Sequence, residues 1–174
     1  MKTFNEFRTY ALVTGAASGM GRIYSLQLAQ RGYNIIMVDI NAAGLQETER
    51  MVKAEIEAST EIPSDRKGAF RMIPIVQDLS VSDAADKIFA ATEAAGCVVE
   101  VLVNNAGVMY CQGIAETSER MLNIIMMVHM YTPLMLCRKY VIGMKERRCG
   151  YILNISSLAA WMIWPGIGMY GHTK

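Results

Sequence analysis

Short apolar runs alternate along this chain with longer stretches in which apolar and polar residues share helical spacing. Tyr10 to Thr14 (YALVT), Asn34 to Asp39 (NIIMVD), Met72 to Val76, Glu100 to Asn104 (EVLVN) and Tyr151 to Ile155 have the length and the β-branched, apolar character of buried strands. Between them, Met20 to Arg31, Ala42 to Ala58 and Val81 to Ala95 predict helices; Gly32 stops the first, and Ser80 or Ser82 is the expected cap of the third. Glu61 to Gly68, with Pro63, Asp65 and Gly68, predicts a surface loop. After Gly113 a long helical region runs from about Thr117 to Arg147, and Pro133, which cannot donate the helical hydrogen bond, is expected to kink it. Strand and helix alternate throughout and no segment repeats. The pattern predicts an α/β fold: a doubly wound parallel sheet with helices on both faces.

Composition narrows the function classes. The 174 residues, 52% hydrophobic and 19% charged with a net charge of +1, suit one domain over residues 1–174, and exclude a disordered chain or a strongly basic nucleic-acid binder. Cys97, Cys111, Cys137 and Cys149 show no C-x-x-C and no histidines at ligand spacing, so reduced thiols and no metal are expected. Met1 to Tyr10 lacks the apolar core of a signal peptide. The greasiest stretch, Leu122 to Cys137, is interrupted by Asn123, His129, Thr132 and Pro133 and falls short of the roughly 20 apolar residues that span a bilayer. A soluble, cytoplasmic chain without a membrane span is expected. Several of the 14 methionines fall between Met121 and Met144, where they read as adaptable core or subunit-contact filler.

The chemistry-bearing signal begins at Thr14-Gly15-Ala16-Ala17-Ser18-Gly19-Met20-Gly21, between a predicted strand and a predicted helix. Gly15, Gly19 and Gly21 allow a tight turn and a close backbone approach. The unpaired N–H groups of the helix start, at Ser18, Gly19, Met20 and Gly21, then face an anion such as a pyrophosphate. Asp39 ends the second strand, where a carboxylate accepts from a ribose 2′-hydroxyl and repels a 2′-phosphate. The loop itself holds no arginine or lysine, so NAD is expected rather than NADP. Tyr170 and Lys174 are four apart and share a helix face, an arrangement in which an ammonium stabilises a phenolate.

Together with Asp78-Leu79, Asn104-Asn105-Ala106-Gly107 and Ser157, which precedes Tyr170 by thirteen positions, these residues resemble the short-chain dehydrogenase/reductase family in its T-G-x-x-x-G-x-G branch. The resemblance covers nearly the whole chain and implies a Rossmann-type fold. It implies that Asp78 and Leu79 contact the adenine, and that Asn105, Ala106 and Gly107 close the fourth strand beside the cofactor. It also implies hydride transfer between a secondary alcohol or ketone and nicotinamide. Tyr170 would be the general acid or base, Ser157 would hydrogen-bond the reacting oxygen, and Lys174 would tune Tyr170 and hold the nicotinamide ribose. An epimerase of the extended branch is disfavoured by the glycine spacing.

Two departures stand out. His129 occupies the place of the family's fourth catalytic residue, an asparagine that helps hold a water in a proton relay. Family members also continue past the lysine through two more strands and a substrate-covering loop. The expectation is therefore a domain incomplete at its C-terminus, with an uncovered sheet edge and little or no turnover by itself. A non-catalytic NAD-binding fragment or degenerate homologue is the rival reading. Leu158 to Met169, with Trp161 and Trp164, is an apolar stretch suited to a hydrophobic, steroid-like or acyl substrate. The resemblance further implies a homodimer or homotetramer for the full-length protein.

Overall fold

The computed structural model describes residues 5, 7–162 and 165–174; Trp164 lies outside them. Five parallel strands, β1 (Tyr10–Thr14), β2 (Asn34–Asp39), β3 (Met72–Val76), β4 (Val99–Asn104) and β5 (Tyr151–Asn154), form one sheet in the order β3-β2-β1-β4-β5. Alternate strand residues feed two separate apolar layers, because successive side chains point to opposite faces. Ala11, Val13, Ile35, Met37, Val101 and Val103 pack with Ala29 of α1 (Gly19–Gln30) and with Leu45, Val52 and Ile56 of α2 (Ala42–Ala58). On the other face Leu12, Ile36, Val38 and Leu102 meet Ala84, Ala85 and Ile88 of one helix and Leu136, Tyr140 and Met144 of another. Each large aliphatic side chain buried in these layers contributes on the order of 2 kcal/mol. Burial on both faces explains why the central strands read as continuous apolar runs rather than as alternating ones.

The strand order places the functional crevice. From β1 the chain winds outward through β2 to β3, then returns to lay β4 against the other side of β1, in register from Ala11 with Val101 to Val13 with Val103. The loops that leave β1 and β4 therefore diverge, and a crevice opens at the carboxyl ends of these two strands. β5 is an edge strand, and among the described residues no strand pairs with its outer side. Its Tyr151 and Leu153 are exposed.

Some boundaries differ from those expected. Within the segment expected as a loop, Ser64–Lys67 forms a single helical turn, α3. Neither Ser80 nor Ser82 caps the next helix, α4, which runs over Ala84–Ala94 behind Asp83; the Ser80 N–H instead donates to the Asp78 carboxylate and closes a turn. The long helical region begins at α5 (Glu119–Met126), where the Ser118 hydroxyl accepts from Met121 N–H. Its irregularity is a widened π-type turn over Met127–Tyr131, one turn before Pro133, and α6 (Thr132–Glu146) follows with the proline in its first turn. Pro133 leaves the carbonyl four residues back without its N–H partner. The backbone adapts upstream, with Thr132 N–H donating to Met127 O, five residues back.

Taken through that turn, Glu119–Glu146 is 28 residues of helix, close to the Thr117 to Arg147 expected from sequence and long and apolar enough to cross a membrane by length and composition alone. Its inner face nonetheless packs on the sheet through Val128, Leu136, Tyr140 and Met144. After β5 come a 3₁₀ turn, Leu158–Ala160, and a short helix, α7 (Gly168–Thr173).

Candidate active site

The loop after β1 is shaped by glycines at which a side chain would meet backbone strain or close contacts. Gly15 has φ +68 and Gly19 φ +50, conformations that cost a side-chain-bearing residue about 1 kcal/mol or more. A Cβ on Gly21 would collide with the Gly15 carbonyl and stand 2.8 Å from Asn105 Nδ2. The loop thus folds back tightly on the first turn of α1. That turn carries no acidic residue, and Ser18, in extended conformation before it, makes no side-chain cap. The first N–H groups of α1 therefore lack an intrahelical or side-chain partner and suit a phosphate-sized anion.

One hydroxyl joins this loop to the end of β4. Thr14 Oγ1 accepts from the backbone N–H groups of Asn105 and Ala106, each at 3.0 Å, and donates to Val103 O at 3.4 Å. Asn105 answers with its side-chain amide, which donates to Thr14 O at 2.9 Å. Asn104, the last residue of β4, donates instead to Asn154 Oδ1 at 2.8 Å and so ties β4 to β5.

Asp39 stands at the lip of the crevice. Its two oxygens accept from Ala17 N–H at 3.0 Å and Asn41 N–H at 2.9 Å, which fixes the carboxylate beside the glycine loop and leaves lone pairs for a further donor. Arg22, not singled out from the sequence, braces the same loop from behind: its guanidinium donates to Ala17 O at 2.7 Å and Thr48 Oγ1 at 3.0 Å. Thr48 in turn donates to Ala16 O. A largely apolar cleft of about 280 Å³ joins Asp39 to Asp78, Leu79, Ala106, Gly107 and Val128. Leu79 is held there by its carbonyl, which accepts from Thr132 Oγ1 at 2.8 Å.

A second cleft, of about 370 Å³, is lined by Gly15, Ser18, Gly19, Met20, Asp39, Asn105, Ala106 and Gly107, and on its far side by Ser156, Tyr170 and Lys174. The structure therefore brings together the glycine loop, Asp39 and the Tyr170–Lys174 pair, residues up to 159 positions apart in sequence. Ser157 is not on the wall of this cleft. Its hydroxyl accepts from Ala159 N–H at 3.2 Å at the start of the 3₁₀ turn, whereas neighbouring Ser156 donates to the Lys174 carbonyl at 2.6 Å. Lys174 Nζ donates to Ile155 O at 3.3 Å and lies 6.0 Å from the centre of the Tyr170 ring; burial lowers its pKa. His172, the spacer between them, is exposed and bonds only within α7.

His129 is the residue whose environment sequence could not supply. Its ring meets the Tyr170 ring edge-on at 5.5 Å, its Nε2 accepts from Val108 N–H at 2.9 Å, and its Nδ1 is 2.8 Å from Thr173 Oγ1. Burial, and then the Lys174 ammonium, push its pKa down from 6.5 to about 4. Between those values the unfolded chain holds the extra proton, so folding stability falls as pH is lowered from 6.5 toward 4. A His129→Phe chain should show a shallower loss over that window. Equal slopes of unfolding midpoint against pH for the two chains would refute this.

A parallel sheet with a glycine-bounded anion cradle at its switch point, faced by a tyrosine and a lysine one helical turn apart, defines a dinucleotide-binding α/β protein. Residues 9–174 match the model of the short chain dehydrogenase family, and the chain belongs to that family. The very-long-chain 3-oxoacyl-CoA reductase of Mycosarcoma maydis is 31% identical over 168 residues, 95% of this chain and 45% of that protein. The 17-beta-hydroxysteroid dehydrogenase type 3 of Mus musculus is 31% identical over 169 residues, 95% of this chain and 50% of that one. The chain thus spans about half the length of these curated relatives. Among solved structures, a metagenomic short-chain oxidoreductase in complex with NADP superposes with a TM-score of 0.82 at 26% identity, over 95% of this chain and 70% of that one. A short-chain dehydrogenase from Streptomyces avermitilis gives 0.80 at 29% identity, over 98% of this chain and 57% of that one.

Proposed function

We propose that this chain forms the cofactor-binding and catalytic part of an oxidoreductase that moves a hydride between a nicotinamide dinucleotide and a secondary alcohol or ketone. The observation that carries this reading is the single cleft shared by the glycine loop, Asp39, Tyr170 and Lys174. The N–H groups of α1 would hold the pyrophosphate, Asp39 the adenosine ribose, and the slot of Asp78 and Leu79 the adenine. When bound, the nicotinamide supplies or accepts the hydride. Tyr170 exchanges the proton of the substrate oxygen, and Lys174 keeps a cation over its ring, 6.0 Å from the centre. Ser157, whose hydroxyl accepts from Ala159 N–H and keeps its own proton to donate, is the serine that orients the substrate in this reading, although Ser156 and not Ser157 lines the Tyr170 cleft.

NAD is the preferred dinucleotide in this reading, since a carboxylate at the ribose lip disfavours an added phosphate and Arg22 is committed to Ala17 O and Thr48. Asp39→Asn, which keeps the shape and one acceptor but removes the charge, is expected to narrow the NAD-over-NADP ratio of kcat/KM by about tenfold. A wild-type chain that favours NADP, measured by nicotinamide absorbance with each dinucleotide, would overturn the preference. The substrate in this reading is hydrophobic, as supported by the exposed Leu158, Trp161 and Met162 beside the Ser157 turn and by relatives named for oxoacyl-CoA and hydroxysteroid substrates.

A further inference from the structure

We propose that His129 and Thr173 form a positioning latch that fixes the helix bearing Tyr170 and Lys174 against the loop after β4. The inference rests on the oxidoreductase reading above and deepens it. Tyr170 and Lys174 sit on α7, and Thr173 between them is the residue of that helix bonded to His129. The hydrogen-bond directions around His129 admit one assignment. Val108 N–H can only donate, so Nε2 carries no proton. The ring proton is then on Nδ1 and points at Thr173 Oγ1, 2.8 Å away. Having accepted it, the Thr173 hydroxyl donates onward to Met169 O at 3.0 Å or Tyr170 O at 3.2 Å.

In this chain of bonds both ring nitrogens of His129 and the Thr173 hydroxyl proton are engaged. It joins three separate elements: the loop at Val108, the π-type turn that carries His129, and α7. The packing around it is equally close. A Cβ on Gly107 would stand 2.8 Å from Lys174 Nζ and 3.2 Å from His129 Nε2, so a glycine there is what lets both groups approach the loop. Thr173 is buried, with 9% of its surface exposed, and lines not the cleft of the glycine loop and Tyr170 but the adjoining cavity that it shares with His129, Ser156 and Lys174. It acts through its neighbours on either side. His129, with both ring nitrogens engaged, acts through its side chain as a positioning residue.

The test uses the full chain with NAD and secondary alcohols such as cyclohexanol and a 17β-hydroxysteroid as probes, together with imidazole nitrogen NMR. In the wild-type chain at pH 7, His129 is expected as the neutral Nδ1–H tautomer. Thr173→Val should move the Nδ1 resonance, speed exchange of the Val108 amide and lower kcat about tenfold, with the KM for NAD within about twofold. Thr173→Ser, which restores the hydroxyl, should recover both the resonance and kcat. An Nε2–H tautomer, an imidazolium at pH 7, or a Thr173→Val chain unchanged in spectrum and kcat would overturn the latch. A wild-type chain that binds no NAD would instead overturn the oxidoreductase reading; where NAD binds without turnover, as expected of a domain incomplete at its C-terminus, the spectrum and amide exchange decide the latch alone.

Discussion

A Gly21→Ala chain is expected to lose dinucleotide binding almost completely, with at least about a 100-fold rise in the dissociation constant for NAD, ~3 kcal/mol. The added methyl meets the Gly15 carbonyl, which is backbone and cannot swing aside as a side chain would. Gly15 is itself fixed: its N–H donates to Val38 O at 2.8 Å, and its carbonyl accepts from Asn105 Nδ2 at 3.4 Å. Relief can come only by pushing the first turn of α1 away from the loop, which removes the convergence of N–H groups that an anion needs. Folding stability should fall as well, by about 1–3 kcal/mol, the usual result of forcing atoms into a packed site. Gly19→Ala is the control, because a Cβ there meets nothing within 4 Å and carries only the strain of φ +50. Calorimetric titration with NAD should rank wild type, Gly19→Ala and Gly21→Ala in that order. A Gly21→Ala chain that binds NAD within about threefold of wild type would refute the cradle.

Tyr170→Phe should leave binding intact and remove turnover. Phenylalanine keeps the ring that packs edge-on against His129 and deletes only the hydroxyl, so the dissociation constant for NAD is expected within about threefold of wild type. With no group to exchange the substrate's proton, kcat should fall by about 1,000-fold, within the range that general acid–base groups contribute. Burst and steady-state measurements at saturating NAD separate the two effects. Retention of more than about a tenth of wild-type kcat would show that another group carries the proton. Ser156, on the wall of the same cleft, is the first to examine in that case.

The two predictions differ in how far sequence alone could have reached them. The strands were legible because β1, β2 and β4 are buried on both faces, so each reads as an unbroken apolar run, and the glycine loop was legible because its spacing is bound to a backbone shape. Helix starts were less so: Ser80 looked like a cap, but its neighbour Asp78 took its N–H into a turn first. Sequence places the kink at Pro133 itself, since it marks the residue that lacks the hydrogen bond and not where the backbone absorbs the loss. Arg22, Thr48 and Thr173 carried no motif, because each acts through a bond to a residue distant in sequence or to a backbone carbonyl. His129 was noticed as a departure, yet its partners Val108 and Thr173 lie 21 and 44 positions away, on elements that only the fold brings together.

The hydroxyl of Thr14 has a consequence for how a dinucleotide would enter. Because one oxygen seats the amide protons of both Asn105 and Ala106, the two walls of the crevice cannot part on that side without stripping two N–H groups of their acceptor at once. The mouth between β1 and β4 is therefore set before any guest arrives. Association then needs little ordering of the host on this side, and the entropic cost of binding falls mainly on the flexible cofactor.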